Sequence, residues 1–208
     1  MALIMTHIRF ALDMAKQFNI ACLEHYISGT VYPDSRWVSG IERELTHDIR
    51  FQSPDFPTDD FTRGWQVHCI CDQVQTVCFE NHFPELQALP REDRWIRMSA
   101  VKLLQDMYDL QAFDFNQQAS ALSHIRNPNG EEITLVKSFY NIILKTYRDG
   151  QVPAPEQYRQ LWLDVGLAGS LADRIIQELD DLLLNPESCR LIESSFDEMI
   201  VAAESIPL

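Results

Sequence analysis

Basic residues are scarce in this chain: 17 Lys and Arg stand against 31 Asp and Glu, a formal net charge of −14 over 208 residues. Such a surface repels phosphate backbones and anionic lipid, which argues against a nucleic-acid duplex or an anionic membrane as a partner. A phosphate group in a locally basic pocket stays compatible with it. No apolar run reaches the roughly 20 residues of a membrane span. No stretch keeps the alternation of a half-buried strand, and there is no internal repeat or low-complexity tract. Residues 1–10 carry His7 and Arg9 early with no small-residue cleavage site after them, so they are not expected to be a secretory signal. The cysteines (Cys22, Cys69, Cys71, Cys78 and Cys189) are odd in number and sit mostly in apolar runs. They read as buried thiols of a cytoplasmic protein, and Cys69 and Cys71 are too close together for the usual paired-thiolate zinc spacing. The sequence carries no signature of oligomeric state.

What is present is helical periodicity. Apolar residues recur at three and four over residues 2–18, 20–28, 58–79, 92–109, 115–125, 131–148, 155–165, 170–184 and 187–203. Gly29 is expected to end the second of these helices, and Asp34, after Pro33, to cap another over residues 35–45. Asp59 or Thr58 is expected to cap the long central helix. The prediction is an all-α fold of about eight to ten helices. Short breaks at residues 127–130 and 150–155 leave one compact domain over residues 1–208, with helices in 131–203 completing the core.

The organising stretch is residues 64–72, inside the central helix. His68 and Asp72 are four apart, so an imidazole and a carboxylate share one face. Gly64, one turn earlier, leaves room beside them. Other metal-compatible groups precede them: His7 on the first helix, Asp34 after its proline turn, then His47 and Asp48, with His82 a weaker candidate beyond. Each alone has a plain structural explanation: a core histidine, a cap, a helix-terminal histidine. Their concentration ahead of residue 83, with one histidine in the later half, favours a divalent metal, with zinc, manganese and iron all suited to a His/Asp set.

The order His7, Pro33-Asp34, Thr46-His47 and His68-x-x-x-Asp72 resembles the zinc-dependent phospholipase C and S1/P1 nuclease superfamily, over residues 5–106. The resemblance implies an all-α fold, a zinc cluster held by His7, Asp34, His47, His68 and Asp72, and phosphoester hydrolysis. Lys102 stands where that family's later helix would place a histidine, so one or two metals are implied, not three. The chain also lacks the family's N-terminal tryptophan ligand. The His47-Asp48 doublet resembles instead the HD-domain phosphohydrolases. In that reading His7 or His25, His47, Asp48 and either Asp72 or Asp106 hold the metal.

Both resemblances imply a small phosphorylated substrate and metal-assisted hydrolysis. Asp34 or Asp72 would bridge metals or orient the attacking water. Arg36 and Arg43, seven apart on the expected 35–45 helix, would clamp a phosphate, with Lys102 adding a point charge; pairing with nearby acids such as Glu42 and Glu44 is the simpler role for the two arginines. A third reading is non-enzymatic: a helical interaction domain whose buried polar groups form a network and whose Phe113, Phe115, Trp162 and Leu167 contribute to an interface.

Overall fold

The computed structural model describes residues 3–47 and 59–206, and among them the fold is all-α, with no strand. The helices are α1 (Ile4–Met14), α2 (Leu23–Val31), α3 (Arg36–Ser39), α4 (Arg43–Thr46), α5 (Asp60–His82), α6 (Arg91–Gln111), α7 (Ile133–Thr146), α8 (Pro155–Asp164), α9 (Gly169–Leu183) and α10 (Pro186–Glu204). No described helix is long and apolar enough to cross a membrane.

The central helix α5 begins where its cap residue dictates: the Asp59 carboxylate accepts from the Thr62 N–H at 2.8 Å. Both flanks of α5 are covered, so most of its middle turns are buried and no polar stripe survives there. Its closest neighbour is α2. A Cβ on Gly64 would lie 1.9 Å from the Tyr26 carbonyl oxygen, and a Cβ on Gly29 would lie 1.9 Å from that of Phe61. Only two glycines let these backbones touch. Gly29 therefore does not stop α2, as the sequence suggests; the helix runs through it to Val31 because its missing side chain faces α5.

The N-terminal helix is fixed from α6. Asp106 accepts the Met5 N–H at 2.8 Å and the Thr6 N–H at 3.4 Å, which satisfies first-turn donors of α1. The Tyr147 and Tyr158 hydroxyls donate to its other oxygen at 2.8 and 3.2 Å. Arg9 pairs with Asp109 at 2.7 Å one turn further along. Helices α7 to α10 close over α6 and α5 with an aromatic-rich layer that includes Trp162, Tyr140, Tyr147 and Tyr158.

Three sequence expectations change. The expected 35–45 helix is two short pieces, α3 and α4, because Gly40 takes φ 73° and turns the chain between them. Residues 115–125 form only 3₁₀ turns, over Phe115–Gln117 and Ala119–Ser123. There the Asp114 carboxylate binds the Asn116 N–H and favours a turn over a helix. Phe115 and Trp162 are core residues, and Phe113 and Leu167 pack on that core. None of the four stands out as an exposed apolar patch.

The α2–α5 crossing makes a direct prediction. Gly64→Ala should destabilise the protein by about 2–3 kcal/mol or more, since the new methyl meets rigid backbone. Gly169→Ala, whose Cβ would find nothing nearer than 3.9 Å, should be neutral or slightly stabilising. Urea midpoints of the two variants check this; equal midpoints would contradict the close crossing.

Candidate metal centre

The crossing delivers the first polar contact of the site. With α2 pressed on α5, the Thr30 carbonyl lies 2.8 Å from His68 Nδ1 and accepts its proton. The Thr30 hydroxyl lies within 3.0 Å of the Tyr26 carbonyl and 3.2 Å of that of Gly64, holding the same seam. A neutral imidazole that donates from Nδ1 presents a bare lone pair at Nε2. That is the arrangement of a metal-ligating histidine oriented by a backbone carbonyl.

His47 arrives from the other side. The Trp65 indole of α5 donates to the Thr46 carbonyl at 2.6 Å, and the Cys69 thiol reaches the same oxygen at 3.6 Å, so α4 is docked on α5. The Thr46 hydroxyl donates to the Arg43 carbonyl at 3.1 Å. Its oxygen is then left to accept from His47 Nδ1, 2.8 Å away. His47 Nε2 consequently faces His68 Nε2 at 3.2 Å. Two imidazole lone pairs do not settle at that distance facing each other; a proton on one nitrogen or a cation between them is needed. Zinc with bonds of about 2.0–2.1 Å in tetrahedral geometry places neighbouring nitrogens about 3.3–3.4 Å apart.

Carboxylates complete the cluster. Asp72 lies 3.4 Å from His47 Nε2 and 3.8 Å from His7 Nε2. His7 stacks on His68, with ring centroids 3.8 Å apart and planes 16° from parallel. Candidate ligand atoms of His7, Asp34 and His68 lie within 4.8 Å of one another, as do those of His47, His68 and Asp72. His68 thus belongs to both groups. Among the described residues, both nitrogens of His7 and both oxygens of Asp34 are buried without a hydrogen-bond partner. A buried carboxylate with two bare oxygens costs several kcal/mol unless a cation or donor compensates it.

Asp34 itself departs from its expected role. It sits within the 3₁₀ turn Tyr32–Ser35 and caps nothing with its side chain. Pro33 in that turn aims the carboxylate inward beside His7 and His68 instead.

Protonation is set by burial and neighbours. Burial, then the adjacent His68, hold His7 well below the ordinary imidazole range. Burial pulls His68 down to about 4, against the attraction of Asp34. Both rings are therefore neutral at pH 7 and available as ligands. For Asp72, burial alone would raise the pKa, but the Lys102 ammonium and then the His47 contact outweigh it and hold the carboxyl well below its usual range.

Two cations reach Asp72. Lys102 Nζ lies 3.5 Å from Oδ1 and Arg43 Nη2 lies 3.7 Å from Oδ2. Lys102 is buried in the α6 face, whereas Arg43 is more than half exposed beside an open cavity of about 330 Å³. The cavity walls are Arg43, His47, Cys69, Asp72, Gln73, Thr76 and Val77. The site has two layers: His47, Asp72 and Arg43 at the cavity floor, and His7, Asp34 and His68 beneath.

Other candidates fall elsewhere. Arg36 is separated from Arg43 by the Gly40 turn and lays its guanidinium over Trp37, 4.7 Å from the ring centre. The one-helix clamp is thereby lost. His82 lies on α5 about 21 Å along the axis from His68 and pairs with Glu198. Exposed His25 meets His124 edge-on, and Asp106 is committed to the four donors already described. Asp48 lies outside the described residues. Sequence reasoning missed the Thr30 carbonyl, a backbone group with no sequence signature. It names Thr46 beside His47 but gives it no role, although that adjacency is a usable signal for the hydroxyl that orients the ring.

The neutral imidazoles give the site a pH signature. In an unfolded chain a histidine titrates near 6.5, so below that pH the unfolded state takes up protons that buried His68 refuses until about 4. Stability from His68 is complete above about pH 6.5, declines as pH falls, and levels off below about 4, by roughly 3 kcal/mol in total. Asp106 and Asp109, pushed up by burial to about 7 and about 6, act in the opposite sense. The comparison of metal-free wild type with His68→Gln isolates the imidazole: the wild type's advantage in unfolding free energy should shrink as pH drops from 6.5 to 4. An advantage independent of pH would contradict a neutral buried His68.

Compared with known proteins, the chain matches no family model, and no curated protein or solved structure is significantly similar to it. Among the described residues the protein is all-helical, with buried His/Asp groups, joined through His68, that could hold a metal.

Proposed function

We propose that the chain is a metal-dependent phosphoester hydrolase, with zinc held by His47, His68 and Asp72 and backed by His7 and Asp34. The observation that carries this reading is the pair of Nε2 atoms 3.2 Å apart, each with its Nδ1 already engaged. The order of these residues in the chain also supports it, being that of the zinc-dependent phospholipase C and S1/P1 nuclease ligands. A divalent ion in such a site supplies Lewis acidity and acidifies a water at neutral pH.

The protein's own groups have separable tasks. Asp72 holds its negative charge through Lys102 and the His47 contact. Its position at the cavity floor suits it to orient a water or share a metal. Arg43 stands at the cavity wall with its guanidinium open to solvent, placed to receive a phosphoryl oxygen. Lys102, fixed below, offsets charge that accumulates on the phosphoryl group. The cavity is at the lower end of small-molecule sites in size, and the two cations favour a phosphorylated small molecule over a neutral one despite the acidic surface.

The test compares two carboxylates on a chromogenic phosphodiester with added zinc or manganese. Asp34→Asn should lower kcat/KM by orders of magnitude, because a charge-compensating group beside the metal is lost. Asp48→Asn should stay within about threefold of wild type, less than roughly 1 kcal/mol. The opposite ranking would replace this reading with the HD-type one. No hydrolysis with any divalent metal would contradict the enzymatic reading and favour an interaction domain.

A further inference from the structure

The far end of α5 carries a second cluster that the hydrolytic site does not use. Cys78 and His82 are four apart on one face of α5, and Glu198 reaches them from α10. His82 Nε2 lies 3.0 Å from Glu198 Oε2 and 3.1 Å from Oε1. Cys78 Sγ lies 3.8 Å from Glu198 Oε2 and 3.9 Å from the Ser195 carbonyl. One ligand atom from each of the three residues falls within a 4.8 Å set. The thiol is buried, the imidazole largely so, and the carboxylate half exposed. A cavity of about 190 Å³, walled in part by Cys78, Glu198, Gln73 and Asn81, opens beside them.

We propose that Cys78, His82 and Glu198 form a zinc-binding clasp that pins α10 onto α5, separate from the hydrolytic centre. A thiolate, an imidazole and a carboxylate are the three ligand types zinc accepts in tetrahedral sites. Ligand-to-ligand edges around zinc run about 3.3–3.7 Å for these bond lengths. The observed separations bracket that range, so small side-chain shifts seat the ion. The fourth position faces the adjoining cavity and takes a water. Without a cation the sulfur stays a thiol that donates to Glu198: burial, and then that carboxylate, push Cys78 up to about 12. A bound ion reverses this and deprotonates the sulfur outright, releasing one proton to solvent as the zinc–sulfur bond forms. The ordinary alternative, a His–Glu ion pair with a thiol beside it, predicts no sulfur ligation.

Cobalt(II) distinguishes the two, because only a thiolate ligand adds a sulfur-to-cobalt charge-transfer band in the near ultraviolet. The 208-residue chain, titrated with cobalt beyond one equivalent, should develop that band. Cys78→Ser should abolish it. Glu198→Gln, a change at a half-exposed side chain that leaves the fold intact, should weaken cobalt binding at this site at least about tenfold, as should His82→Gln. Asp72→Asn and His47→Gln should leave the band in place, since they alter only the other centre. Zinc should raise the melting temperature of Asp72→Asn by clearly more than that of the double variant Asp72→Asn/Cys78→Ser, and equal increments would overturn the clasp. No band in the wild type would overturn the proposal. So would a band that survives Cys78→Ser, or one lost in Asp72→Asn yet kept in Glu198→Gln, which would place the sulfur at Cys69. Indifference of the band to both His82→Gln and Glu198→Gln would overturn it as well.

Discussion

The contact on which the structure depends is backbone against backbone: α2 crosses α5 at Gly29 and Gly64, with no side chain between them. The dense packing at this seam sets where the next residues of α2 lie. Thr30 follows Gly29 at once, and its carbonyl fixes the tautomer and direction of His68. Four residues on, the Pro33 turn brings Asp34 to the same place. One glycine-lined seam therefore aligns two of the polar groups, and a methyl there would displace both.

The other polar groups are brought in by separate anchors. Asp106 fixes the start of α1 and so lays His7 over His68. Trp65 fixes the end of α4 and so aims His47. Lys102 comes from the middle of α6, which also sets Trp95 against Trp162 and Asp106 against the Tyr147 and Tyr158 hydroxyls. None of these anchors holds the ligand itself by hydrogen bonds to both of its polar atoms. The anchoring is rigid, while both nitrogens of His7, both oxygens of Asp34 and one oxygen of Asp72 are buried without a hydrogen-bond partner among the described residues, which is costly. A cation in either of the two groups that share His68 would relieve part of that cost.

Much of this was legible in the sequence. The long helices show in their apolar period, and the His68–Asp72 pair follows from a spacing of four. Residues without periodicity were harder. Gly29 looks like a stop signal because glycine usually frees a helix end, yet here it serves close packing, which only the partner helix reveals. Gly40 was the true break between Arg36 and Arg43, and its left-handed φ separates two arginines that a heptad spacing would have joined. Asp34 reads as a cap from its position before a serine, and only the fold shows its oxygens turned inward. The Cys78–His82–Glu198 cluster is half visible at best, because Glu198 lies more than a hundred residues from its partners.

The proposed function requires a divalent ion, not a proton, between the two facing imidazoles. Anomalous X-ray diffraction at the zinc edge, on crystals grown with zinc at neutral pH, distinguishes the two. An anomalous peak is expected within about 2.1 Å of both His47 Nε2 and His68 Nε2, with Asp72 turned toward it. No peak at that position, with the two nitrogens still about 3.2 Å apart in the presence of zinc, would mean that a proton joins them and would contradict the account.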